Sequence, residues 1–205
     1  MMKILITAGP TREYFDKVRY ISNPSTGRMG FAVAAAAKAR GHKVTLVSGP
    51  THLEPLKGVT LKRVVSAQDM LRQVNKYFPE SDAVIMTAAV SDYRPAAYCN
   101  GKIKKTGQPV SVRLEPTLDI LKTISRRKGG RVLIGFALEA SDLRRNALRK
   151  LRAKNLDFVV ANRTDSFGPG KVSAEIWSPL GLVKRFKNAD KNQIGRFIVK
   201  LLECR

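Results

Sequence analysis

"KILITAGPTREYFDKVRYISNPSTGRMGFAVAAAAKARGHKVTLVSG" (3–49) decides the fold, and it contains an oddity. "KILITAG" (3–9) is continuously apolar, as a buried strand is; "GFAVAAAAKARG" (30–41) reads as a helix ended by Gly41; "KVTLVSG" (43–49) reads as a second buried strand. A strand usually passes into its helix through a few residues, yet here the polar segment Gly9–Gly30 intervenes. Ordered loops of that length in compact domains are usually functional.

The same alternation continues down the chain. "VTLKRVV" (59–65), "DAVIMTAAV" (82–90), "RVLIGFALE" (131–139) and "DFVVANR" (157–163) read as strands. "SAQDMLRQVNKYF" (66–78), capped by Ser66 or Asp69, and "SDLRRNALRKLRAKN" (141–155) read as helices. Apolar strands alternating with helices imply a mostly parallel sheet covered on both faces, so an α/β, Rossmann-like, doubly wound fold is expected. Two stretches break the rhythm, "GKIKKTGQPVSVRLE" (101–115) and "VSAEIWSPLGLVKRF" (172–186), ahead of a last helix "KNQIGRFIVKLLE". Each alternates apolar and polar residues around a glycine-containing turn, as β-hairpins do. The second is expected as an antiparallel sheet edge, the first as an extra β-hairpin arm reaching a partner subunit.

With 205 residues, 43% of them hydrophobic, the chain can bury one sizeable core, and a single domain over 1–205 is expected. No run is long and apolar enough to span a membrane. The start "MMKILITAG" leads directly into the first strand and does not read as a signal peptide, so a cytoplasmic protein is expected. Cys99 and Cys204 stand far apart with no CxxC, and only His42 and His52 accompany them, so no metal site is expected. The 38 Lys and Arg against 16 Asp and Glu give +22, a balance suited to polyanions, either nucleic acid or multiply phosphorylated small molecules. The cations are spread along the whole chain with no RNA- or DNA-binding signature, which makes nucleic acid the subordinate reading.

In open α/β sheets ligands bind beyond the carboxyl ends of the strands. The loops there carry the polar residues: "GPTREYFDKVRYISNPSTGRMG", "SGPTHLEP", "SDYRPAAYCNGKIKK", "ALEAS" and "NRTDSFGPG". Ser25, Thr26 and Gly27 stand at the mouth of a helix, where free N–H groups and the dipole favour an anion; plain N-capping is the alternative. Arg19 and Asn23 supply a charge-assisted donor and an amide just upstream. An NADP-dependent Rossmann-type reductase is the rival reading, but GxGxxG is missing and "VTLVSG" ends without the acidic residue that binds a ribose hydroxyl.

"ITAGPTREYFDKVRYISNPSTGRMG", then "TLVSGP", "TAAVSDYRP", "GKIKK", "GFALEA" and "KNLDFVVAN" in that order, resembles phosphopantothenoylcysteine synthetase, the ligase of coenzyme A synthesis, over nearly the whole chain. In many bacteria and archaea that enzyme is the C-terminal half of a bifunctional protein; with Met1 directly before the first strand, a stand-alone synthetase is expected. The resemblance implies that a nucleoside triphosphate, CTP favoured and ATP possible, activates the carboxylate of 4′-phosphopantothenate, and that the amine of L-cysteine then attacks the acyl-nucleotidyl intermediate. It implies Mg2+ held by the phosphates, and a homodimer. Catalytic roles fall on Asn23, Arg19 and Lys102, the last opening a mobile flap. Nucleotide contacts fall on Gly9, Ser25, Thr26, Gly27, Asp92, Leu118, Asp119, Ile120, Leu121, Phe136, Lys150 and Lys154, and Ala88 and Ala89 meet the intermediate. Without the resemblance, Phe136 also reads as core, Lys150 and Lys154 as one solvated helix face, Asp92 as a cap, and "KIKK" as a charged hairpin.

Overall fold

A computed structural model describes residues 1–139, 142–163 and 170–204. Its strands are β1 (Lys3–Ala8), β2 (Arg12–Tyr14), β3 (Tyr20–Ser22), β4 (Lys43–Ser48), β5 (Thr60–Arg63), β6 (Ala83–Met86), β7 (Tyr93–Pro95), β8 (Leu114–Pro116), β9 (Val132–Glu139), β10 (Phe158–Arg163), β11 (Val172–Ser178) and β12 (Gly181–Ala189). The helices are α1 (Arg28–Ala39), α2 (Ala67–Tyr77), α3 (Ile120–Ser125), α4 (Leu143–Ala153) and α5 (Lys191–Glu203). One sheet runs β12-β11-β10-β9-β6-β1-β4-β5. Neighbours from β5 to β10 are parallel, and β11 and β12 close the edge antiparallel, as "VSAEIWSPLGLVKRF" predicts.

The sheet is doubly wound because its central strands are apolar on both faces. Ile4, Ile6 and Ala8 of β1 pack with α1 and α5, while Leu5 between them packs in the opposite layer with α2, α3 and α4. Alternate side chains of a strand point to opposite faces, so a strand buried on both sides needs no polar alternation. Each isoleucine or leucine buried in this way contributes roughly 1.5–3 kcal/mol. At α2 both expected caps take part. Ser66 Oγ accepts from Asp69 N at 3.1 Å, and Asp69 Oδ2 accepts from Ser66 N at 3.0 Å, a reciprocal capping box.

One local expectation is corrected, and two elements appear that the sequence reading did not assign. The 101–115 segment forms no hairpin of its own: its only strand residues, Leu114 and Glu115, pair through β8 with β7, so the arm spans the long return between Tyr93–Pro95 and Leu114–Pro116. The alternation fails there because residues 104–113 are exposed, and a two-stranded ribbon with nothing covering either face is marginal. The first loop contains a short ribbon of its own, β2 against β3, with Arg12 stacked 4.6 Å over the Tyr20 ring. Finally, "LDIL" opens a helix, α3, capped by Asp119, whose carboxylate accepts from Lys122 N at 2.8 Å. Residues 164–169, most of the loop "NRTDSFGPG", and residues 140–141 of "ALEAS" lie outside the described residues.

Candidate active site

Beyond the carboxyl ends of β1, β6 and β9 lies a cleft of two lobes, about 620 Å3 and 840 Å3, which share Pro24, Ala88, Ala89, Phe136 and Leu138 as a common wall. A larger cavity of about 900 Å3 lies at the other ends of the strands, around His42, Asp82 and Glu203. His42 and Glu203 are bonded to each other there, and Glu203 also pairs with Arg40, so these groups are already satisfied. The strand carboxyl ends, where the loops converge, are the place for chemistry.

The first lobe is built on the start of α1. Gly27 is the N-cap, with φ +74, and no side chain caps the helix. No acidic residue sits in its first turn. Ser25 Oγ lies 3.4 Å from Gly27 N and Thr26 Oγ1 3.5 Å from Arg28 N, long contacts that shape the approach to the helix. A Cβ on Gly30 would fall 2.5 Å from Ala8 Cβ and 2.6 Å from Thr87 Oγ1, so only glycine lets α1 begin this close to the ends of β1 and β6. Gly9 lies beneath this turn and its carbonyl accepts from Ala89 N at 2.9 Å; it frames the lobe without lining it. Arg28 and, from α5, Lys191 complete the lobe. Burial and then the nearby Arg28 charge hold the Lys191 ammonium below its usual pKa. Two cations crowded together at a helix N-terminus favour an anionic group between them.

The second lobe takes Asp92, Leu118, Asp119, Ile120, Leu121, Lys150 and Lys154 from the predicted set, together with Asn23. Ile120 and Leu121 are buried in the apolar layer, so the chemistry of that turn rests on Asp119 and the exposed Leu118. Lys150 crosses from α4 to donate to the Phe136 carbonyl. Burial pushes its ammonium below the usual lysine pKa, against the opposing pull of Glu139 and Asp92. Lys154, four residues on, pairs with Asp119, and burial likewise lowers its pKa against Asp92. Asn23 Nδ2 donates to the carbonyls of Val90 at 3.1 Å and Ala89 at 3.4 Å, which ties the end of the first loop to the wall between the lobes.

Arg19 and Lys102 line neither lobe. Arg19 donates to Asp16 Oδ2 at 2.9 Å and to the Ile103 carbonyl at 3.0 Å, and Lys102 is exposed at the root of the arm. The sequence reading missed Asn146 and Arg149 in the second lobe, Asn162 and Lys191 in the first, and the buried carboxylates of Glu13 and Asp16. Arg149 was within reach, next to Lys150 on one helix. Lys191 was not, because nothing local links the last helix to a loop near residue 25. The dinucleotide reading finds no counterpart: β4 ends at Ser48, whose hydroxyl donates to Gly49 O at 2.8 Å. Among the described residues there is no group of three or more His, Cys, Asp or Glu able to hold a metal ion.

The fold and sequence have well-defined relatives. The chain is 45% identical over 168 residues to the coenzyme A biosynthesis bifunctional protein CoaBC of Bacillus subtilis (strain 168), covering 82% of this chain and 41% of that protein. It is 36% identical over 203 residues to the CoaBC of Borreliella burgdorferi, covering 98% of this chain and 52% of the relative. The chain thus spans about half the length of the curated relatives it matches. Among solved structures, the C-terminal domain of a CoaBC protein superposes with TM-score 0.86 at 41% identity over 99% of this chain and 94% of that one. A mutant of Cab2 in complex with phosphopantothenate-cysteine shares the fold, with TM-score 0.81 at 17% identity over 100% of this chain and 86% of that one. Residues 1–204 match the DNA/pantothenate metabolism flavoprotein C-terminal domain, and the chain belongs to that family.

Proposed function

We propose that this chain is a phosphopantothenate–cysteine ligase of coenzyme A biosynthesis. A carboxylate oxygen of 4′-phosphopantothenate attacks the α-phosphorus of a nucleoside triphosphate, CTP in preference to ATP, and pyrophosphate leaves. The amine of L-cysteine then attacks the acyl carbon, and the nucleoside monophosphate leaves as the amide forms. The observation that carries this reading is the shared wall: Ala88 and Ala89 separate an uncapped helix N-terminus from a lobe holding Lys150, Lys154 and Asp92. Such a wall suits a nucleotide with its phosphates in one lobe and its base in the other, the acyl group meeting the α-phosphate at the junction. The relatives named for coenzyme A biosynthesis, and Cab2 with phosphopantothenate-cysteine on the same fold, support the substrate class.

The chemistry asks for orientation of two mutually repelling anions and for donors at the charge that develops on the α-phosphate. Ser25, Thr26, Gly27 and the start of α1 hold phosphates, with Arg28 and Lys191 beside them. Asp92, Leu118, Asp119, Phe136, Lys150 and Lys154 form the base pocket. Asn23 stands over the junction, where the weaker of its two backbone bonds, at 3.4 Å, is the one a ligand oxygen replaces. Mg2+ would be held by the phosphates, with a cleft whose described residues supply cations and N–H groups and, among them, no cluster of three or more His, Cys, Asp or Glu. Because Lys102 lines neither lobe of its own chain, the reading includes a homodimer in which the arm brings Lys102 to the neighbouring cleft. The reading places the enzyme in the cytoplasm; no helix among the described residues is long and apolar enough to cross a membrane.

A mass-spectrometric assay with 4′-phosphopantothenate, L-cysteine, Mg2+ and either CTP or ATP tests the proposal. Ligated 4′-phosphopantothenoylcysteine, formed faster with CTP, is the expected result. Equal or faster turnover with ATP removes the base preference, and no ligated product with either nucleotide removes the reading.

A further inference from the structure

One ionised group of the first loop has no part in the chemistry above. Asp16 is 0% exposed, although Lys17 and Val18 beside it are exposed. Burying a carboxylate is costly unless its oxygens are saturated with donors. Here they are: Oδ1 accepts from Val18 N and Arg19 N, both at 2.7 Å, and Oδ2 accepts from Arg19 Nη1 at 2.9 Å and Ile103 N at 3.2 Å. Burial alone raises the carboxyl pKa, but the three backbone N–H groups and the Arg19 guanidinium outweigh it, so the group is held below its usual value and stays ionised.

Three of these donors are local, but Ile103 N lies 87 residues from Asp16 in sequence. Arg19 Nη2 donates to the Ile103 carbonyl at 3.0 Å, Lys17 N donates to Gly101 O at 3.2 Å, and Cys99 N donates to Phe15 O at 2.9 Å. The tip of the first loop, 15–19, therefore clasps the root of the arm, 99–103, on both sides of Lys102. Beyond that root residues 104–113 are exposed, and the nearest regular pairing is the short β7–β8 ribbon. The clasp thus governs where the arm starts.

We infer that Asp16 is a positioning residue for the ligation: its carboxylate clamps the root of the arm to the tip of the first loop and so fixes the place from which Lys102 reaches the reacting groups. The inference rests on the ligase reading above. Arg19 is then the second half of the clamp. Two of its guanidinium N–H groups are used within the clamp, and with a side chain 40% exposed the others stay open to a ligand anion.

The test separates positioning from mere support of the fold. Asp16→Asn keeps the volume but removes the charge and presents an NH2 group to donors. Ile103→Pro removes one donor to the clamp and leaves Asp16 intact. Hydrogen exchange of the 99–105 amides, read by mass spectrometry without substrates, is expected to quicken about tenfold or more in either variant, with the sheet amides unchanged. Turnover is expected to fall about tenfold or more while KM for CTP moves less than about twofold. In a Lys102→Gln background, Asp16→Asn is expected to add less than about a twofold further loss, because both changes remove the same placement. Unchanged exchange, a loss confined to KM, a full further loss on top of Lys102→Gln, or Lys102→Gln with normal turnover each overturns the inference. If Asp16→Asn does not fold, the same readouts on Ile103→Pro decide. If the wild type makes no ligated product, the ligase reading and the positioning role fall together, while the exchange data still report whether the clamp exists.

Discussion

At Lys150 the needs of binding and of stability pull against each other. Its ammonium is held below the usual pKa of 10.5 by burial, and Glu139 and Asp92 offset that only in part. The unfolded chain therefore binds this proton more tightly than the native one. Below both pKa values the native state carries a poorly solvated cation. As pH rises from the lowered native value towards 10.5, the native state sheds the proton first and stability recovers. The difference in unfolding free energy between wild type and Lys150→Met, from urea titrations, is expected to shift in favour of the wild type across that alkaline window. A flat or opposite trend removes the account. Near neutral pH Lys150→Met is expected to be at least as stable as the wild type and to bind CTP about tenfold or more weakly by calorimetry, the scale of one charge-assisted hydrogen bond. The i, i+4 spacing of Lys150 and Lys154 was legible in the sequence and brought both to one lobe. Their partners were not, because Asp119 and the Phe136 carbonyl meet them only through tertiary packing.

The element that decides the first lobe is the start of α1. Its position depends on Gly30, where an added methyl group would press on both Ala8 and Thr87, the ends of β1 and β6. Neither neighbour is a flexible tip that can swing away, so the helix must lift. Gly30→Ala is expected to cost about 1–3 kcal/mol, the range for overpacking a filled site, and to weaken CTP binding because the N-terminal N–H groups move with the helix. Chemical denaturation and calorimetry read the two effects; full stability with normal affinity contradicts the placement. At this scale most of the sheet was legible, since continuous apolar strands between helices allow few alternatives. The six-residue α3 is too short to show a helical period, and the arm misled by alternating without any surface to cover its apolar side. The ribbon in the first loop escaped notice for a related reason: β2 and β3 are three residues each and are held by cross-loop bonds such as Glu13 Oε1 accepting from Ala67 N at 2.8 Å.

At the scale of the whole molecule, the arm and the first loop carry exposed apolar side chains, Val18, Tyr20, Tyr93, Tyr98, Val110, Val112 and Leu114, as the edge hairpin does at Leu180, Leu182 and Val183. Tyr93 and Tyr98 precede Lys102 in the sequence and Val110, Val112 and Leu114 follow it, so an isologous contact through the arm would cover them. On the homodimer reading, a working site takes Asn23 from one subunit and Lys102 from the other. Asn23→Asp sets a carboxylate against the carbonyls of Ala89 and Val90 and removes the amide donors, so that variant should ligate about 10²-fold more slowly with its melting temperature nearly kept. Lys102→Gln should lose as much by removing a cation from the other side. Each homodimer alone is then nearly inactive. When the two variants are unfolded together in equal amounts and refolded, random pairing makes half the dimers mixed, and each mixed dimer contains one site with both residues intact. About a quarter of wild-type activity should return, because one subunit repairs the other's cleft across a two-fold axis. If both residues acted within one chain, the mixture would stay as inactive as its parts. A mixture that forms dimers by light scattering yet regains no activity would place Lys102 and Asn23 in the same subunit's site, and the arm would then have to fold back over its own cleft.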